Sequence, residues 1–166
     1  MGKFKPDYIA YVKTRSTRYD PTIAKVKPTS ANPGKPPSDL VKLGQQMKVM
    51  LNNLISYKIF SSVVCGILVE GKDCSLYKMD IIGQSFYRMV LVASFPLCTT
   101  LSKLCLIPNM SLCMIYLKDI TIDTAKKVEK SELTKAKGQR KLENVVPESW
   151  MRHVTCTFKC KKTDGD

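Results

Sequence analysis

The sequence predicts an α+β fold: a small, mainly antiparallel sheet packed with an N-terminal amphipathic helix and preceded by an extended basic arm. Three observations lead there. Six of the nine prolines fall within residues 1–38. The apolar period is helical from about residue 40 to 56 and turns strand-like after it. Basic residues gather at both ends of the chain, leaving the middle weakly charged and apolar.

Residues 1–38 mix proline with Lys, Arg, Ser and Thr and show no period of 2 or 3.6. Proline cannot donate to a ladder and disfavours helix before it, so this stretch reads as an arm and residues 39–166 as the globular domain. The arm is unusual for its aromatics. Phe4, Tyr8, Tyr11 and Tyr19 lie among Lys3, Lys5, Lys13, Arg15 and Arg18, with Lys25 and Lys27 following. Interleaved basic and aromatic residues suit base stacking combined with phosphate contact. They equally suit docking into a neighbour's groove, or folding back onto the chain's own domain.

The domain opens at Ser38, a good N-cap. Leu40, Leu43, Met47, Leu51 and Leu54 recur at steps of three and four, with Lys42, Gln45, Gln46, Lys48, Asn52 and Asn53 on the other side, so a core-facing helix runs to about Ser56. Ile59 to Glu70 reads as a strand ended by a turn at Gly71-Lys72-Asp73. Cys74 to Gly83 fits a short helix with Leu76, Met79 and Ile82 on one face. Phe86 to Phe95 is the strongest strand, closed by Pro96. Leu97 to Ile107 is ambiguous, with a short helix as one reading, and Ser111 to Thr124 reads as a strand. Residues 126–148 are polar and read as an exposed loop or, over Lys126 to Asn144, a weak solvated helix. Met151 to Lys161 alternates, with Val154, Cys156, Phe158 and Cys160 facing one way, as expected of a strand with one buried face.

Charge bounds the function. The 166 residues hold 27 Lys and Arg against 14 Asp and Glu, a net charge of +13. Residues 1–40 carry eight basic residues against three Asp, and residues 126–166 carry eleven against six. The second cluster includes Lys126, Lys127, Lys130, Lys135, Lys137, Arg140 and Lys141. Such an excess repels itself and persists where an anion compensates it, which points to nucleic acid or anionic lipid headgroups. The longest apolar stretch, Met89 to Ile107, is broken by Pro96 and Lys103 and falls short of a membrane span.

Catalytic chemistry is not expected. The single His153 has no second His for a triad or a facial metal set. The seven cysteines (65, 74, 98, 105, 113, 156, 160) show no framework spacing and sit mostly in apolar runs, where Cys packs as a small hydrophobe. His153, Cys156 and Cys160 lack a tight Cys-x2-Cys knuckle for zinc, and no glycine loop cradles phosphate. The residues therefore predict a non-enzymatic protein with no metal, cofactor or small-molecule substrate. A basic assembly protein with an acidic partner is the expectation.

The order of basic proline-containing arm, helix, strand, short helix and further strands resembles the short matrix proteins of plant rhabdoviruses. The strand Phe86-Tyr87-Arg88-Met89-Val90-Leu91-Val92 is similar, and Lys35-Pro36-Pro37-Ser38 lies where such proteins carry a budding motif. Here that motif lacks the Tyr of PPxY, and Pro28-Thr29-Ser30-Ala31 is not a full PTAP type. The resemblance implies a viral matrix-type structural protein of the virion and host cytoplasm. It would self-associate as a homo-oligomer or helical lattice through the arm (Phe4, Tyr8, Tyr11, Tyr19, Pro36 and Pro37). Its basic ends would condense the helical nucleocapsid of nucleoprotein and RNA and bridge it, peripherally, to the anionic inner face of a membrane. The alternative is a basic nucleic-acid-binding accessory protein, such as a ribosomal component, a silencing suppressor or a movement protein.

Overall fold

The computed structural model describes residues 7–14, 17–27, 38–59, 61–136 and 146–151. Five strands form one sheet in chain order: β1 (Tyr8–Lys13), β2 (Arg18–Lys27), β3 (Val64–Glu70), β4 (Asp73–Gly83) and β5 (Phe86–Pro96). Helix α1 (Ser38–Ser56) joins β2 to β3, and a 3-10 segment (Leu101–Leu106) leads into the long helix α2 (Ile107–Ala136). A second 3-10 turn spans Glu148–Trp150. Four strand pairs hold the sheet, and three are antiparallel; β2 and β3 run parallel because α1 carries the chain back to the starting end.

This corrects the expected architecture. The helix at residues 38–56 is not N-terminal, since two strands precede it, and the sheet is mixed. Tyr8–Lys13 and Arg18–Lys27 are not an extended arm but an antiparallel pair within the sheet. Pro21 is the reason the pair was hidden. The register shifts so that Ala10 faces Thr22 while Val12 faces Tyr19, which leaves two residues, Asp20 and Pro21, opposite the single Tyr11. A bulge is one of the few places in a sheet where proline's missing donor costs nothing.

Packing on β3 sets the layers. Val64 and Leu68 belong to one apolar cluster with Leu43, Met47, Leu51, Leu54 and Ile55 of α1. Cys65 belongs to a second cluster with Cys74, Leu76, Phe95 and Leu117, so α2 covers the opposite face. Each fully buried Leu or Ile contributes about 1.5–3 kcal/mol relative to exposure. At the end of the sheet beyond α1, Ile59 and Val128 of α2 close the first cluster.

Further segments depart from the expected local structure. Cys74–Gly83 is a strand and not a short helix: its own Leu76 and Met79 are buried in the two different clusters, one on each face, which erases the alternation. Residues 111–124 lie in α2 and not in a strand, and α2 continues through Lys126 to Ala136, the helical alternative for that stretch and not the loop. The alternating segment from Arg152 to Lys161 lies outside the described residues.

Gly66 is where α1 meets β3. A Cβ there would lie 2.5 Å from the Met47 sulfur and 3.3 Å from both Leu43 methyls. Gly66→Val should therefore lower unfolding free energy by about 1–3 kcal/mol in urea titrations. Gly83→Ala, where nothing stands within 4 Å, should shift it by about 0.5 kcal/mol or less.

Candidate interaction surface

Helix α2 is divided along its length. From Leu117 onward a buried stripe of Leu117, Thr124, Val128 and Ser131 follows helical steps. Polar bonds fasten this half. Thr124 Oγ1 donates to the Val63 carbonyl at 2.9 Å, and the Thr22 and Thr121 hydroxyls share a bond of 2.7 Å. Lys127 Nζ donates to the Ser61 carbonyl and pairs with Asp123 at 2.7 Å.

The other half is apolar on nearly every side. The sequence Leu101-Ser-Lys-Leu-Cys-Leu-Ile-Pro-Asn-Met-Ser-Leu-Cys-Met-Ile-Tyr116 holds one charge, Lys103. Met110 and Cys113 pack on the second cluster. Leu101 is nevertheless 84% exposed and Leu112 67%, with Leu104, Ile107, Ile115 and Tyr116 all exposed around them. Pro108 fits because the first turn of a helix has no use for its missing donor. By length and composition the run Leu101–Thr134 is long and apolar enough to cross a membrane, and only 6% of its most apolar window is buried. This replaces Met89–Ile107 as the stretch of interest. Between α2 and the sheet, Lys78, Val90 to Ala93, Leu112, Cys113 and Tyr116 line an open groove of about 460 Å³.

The residues singled out from the sequence scatter. Lys13 is exposed on β1, Lys25 is half-exposed on β2, and Lys126 and Lys130 are exposed on α2. Arg18 is committed locally: its Nε bonds Asp20 at 2.6 Å and its guanidinium lies 4.2 Å from the centre of the Tyr11 ring. Lys27 pairs with Asp39 at 3.2 Å. Burial pushes the Asp39 carboxyl up, but Lys27 and Lys42 outweigh it and hold it below its ordinary value. Lys135 lies in the last turns of α2. Lys3, Phe4, Lys5, Arg15, Pro36, Pro37, Lys137, Arg140 and Lys141 fall outside the described residues.

The aromatic set also divides. Tyr8 and Tyr11 are exposed, but Tyr19 is 2% exposed and belongs to the core rather than to a docking arm. Its hydroxyl donates to Glu132 Oε1 at 3.0 Å, and its ring meets Tyr57 edge-on at 5.0 Å. β2 carries it inward, a position that a reading of residues 1–38 as arm could not assign.

Cys65 and Cys74 are packing groups. Burial pushes the Cys65 thiol up to about 11 and the Cys74 thiol upward too, with Cys113 adding to the latter. A thiol held protonated is a poor nucleophile. Among the described residues, no three His, Cys, Asp or Glu side chains gather as a metal set. The chain matches no family model, no curated protein and no solved structure.

Sequence reasoning missed the Leu101–Tyr116 surface. Its signal was there: large apolar residues on most sides of a helical projection, interrupted by Ser102, Lys103, Asn109 and Ser111, once Pro108 is placed in a first turn. Splitting the run at that proline hid it.

Burial, then the Glu132 contact, pushes the Tyr19 hydroxyl from its ordinary 10.0 to about 12. The fold thus favours the neutral form. That stability is complete below the unfolded value near 10.0 and is lost as pH rises through about 12. Denaturation at stepped alkaline pH should show this loss in the native chain. Tyr19→Phe should show less of it, and should cost about 1 kcal/mol at neutral pH for the missing hydrogen bond.

Proposed function

We propose that this chain is a matrix-type structural protein that self-associates, condenses a helical nucleoprotein–RNA complex and bridges it to an anionic membrane face. The observation that carries the reading is the amount of large apolar side chain left uncovered on a chain of +13. Phe86, Ile82 and Leu91 are exposed around β5, and Leu101, Leu104, Leu112, Ile115 and Tyr116 along α2. Contiguous apolar surface of this kind marks a site of association. The net charge favours acidic partners, whose charge offsets the repulsion between copies brought together in an assembly. Many weak contacts repeated in an array then reach high avidity.

The likeness to short matrix proteins of plant rhabdoviruses, in size, charge and the strand Phe86 to Val92, supports the same role. It no longer rests on an arm that is extended throughout, since residues 8–13 and 18–27 belong to the sheet. Of the arm's aromatics, Tyr8 and Tyr11 on β1 keep the exposure that self-association requires.

Sedimentation velocity of the full chain tests this. Larger species should grow with protein concentration, and RNA should drive further assembly that weakens steeply as salt rises, by counterion release. A chain that stays monomeric at every concentration, with and without RNA, would overturn the reading.

A further inference from the structure

We infer that the 3-10 segment and the first half of α2 insert into the interface of an anionic bilayer, lying flat as an apolar wedge. The inference deepens the membrane part of the proposed function and rests on that reading. What it adds is the insertion site, its orientation and the chemistry of the contact, which basic residues at the chain ends alone would not provide.

The wedge has two sides. Ile115 lies on the flank of α2 away from Cys113 and Leu117, which pack on the sheet, and Leu112, 67% exposed, stands between the two sides at the mouth of the open groove. A helix apolar all round is buried in a core or in a membrane, and here only one flank is covered by protein. Crossing the bilayer is excluded by the fold. The far half of the helix is bound to the sheet through Thr121 and Thr124 and carries charge from Lys118 onward. From Ile107 to Tyr116 the helix rises roughly 15 Å, about half of a hydrocarbon core. It fits a flat, interfacial pose with the apolar flank sunk to the headgroup boundary.

Charge chooses the occupant. Between Leu101 and Lys118 there are two lysines and no acidic residue. A second copy would bring like charge to like charge on chains that each carry +13. Anionic headgroups neutralise Lys103 instead, and compete for Lys118 with Asp119, 3.9 Å away. Lys103 and Lys118 bracket the apolar run, so their stems can lie along the lipid while their ammonium groups reach phosphate.

Flotation of the full chain with phosphatidylcholine vesicles, with and without phosphatidylserine, tests the wedge. Binding should require the anionic lipid. Leu112→Asp and Ile115→Asp should each weaken it roughly tenfold or more. Leu133→Asp, equally exposed but beyond the apolar half, should float as the native chain does. Because these positions are exposed, circular dichroism should show all three variants folded. Cys105, exposed on the 3-10 segment, gives a second reading: vesicles should slow its alkylation by a membrane-impermeant maleimide severalfold, scored by peptide mass. Native-like flotation of the two Asp variants, or a Cys105 rate indifferent to vesicles, would overturn the inference. So would loss of lipid-free self-association in Leu112→Asp, which would hand the flank to a second copy. If the native chain floats as described yet never self-associates, the assembly reading fails and the wedge stands.

Discussion

Everything in this fold is arranged around a strand that has no outside. β3 is covered on one face by α1 and on the other by α2, and Val64, Cys65, Gly66 and Leu68 are all buried. That demands side chains small enough for two helices to approach at once. Gly66 answers it on the α1 side, where Met47 and Leu43 occupy the space a Cβ would take. Cys65 answers it on the α2 side, with a thiol that burial keeps protonated. The parallel pairing of β2 follows from the same arrangement, because α1 can cover β3 only by carrying the chain across it.

Much of this was legible. The α1 stripe, the turn at Gly71 and the strand from Phe86 read directly, because each sits in a local pattern that survives burial. Gly71 supplies the positive φ of the turn between β3 and β4. The failures have physical causes. Proline at position 21 signals a break, and only the partner strand reveals that the break is a bulge. Residues 74–83 lose their alternation because both faces are covered. Residues 111–124 form a continuous apolar run, which periodicity alone cannot assign to strand or helix. The basic residues near the ends suggested one cluster at each end, yet Arg18, Lys27 and Lys127 are engaged in local ion pairs.

The division of α2 links fold to function. Its charged half is held to the sheet by hydroxyls and carbonyls, directional contacts that fix position and register. Its apolar half rests on the second cluster through a narrow stripe and leaves the rest uncovered. A helix fastened at one end presents the other end rigidly. The chain therefore offers its apolar surface at a defined place relative to the sheet, and β5 with its open groove lies alongside it. Exposed Tyr8 and Tyr11 stand at the opposite edge of the sheet, on β1.

The parallel pair also dictates an order of events. β3, β4 and β5 form a meander joined by tight turns, so their contacts are local in sequence and close with little loss of chain entropy. β2 must wait. Thr22 meets Cys65 only after the whole of α1 has been laid down between them, and distant contacts of that kind form late. During synthesis, β1 and β2 leave the ribosome before β3 yet find their place in the sheet only when β3 arrives. Until then, the hairpin that carries Tyr8, Tyr11 and Tyr19 is a nascent edge in search of a partner.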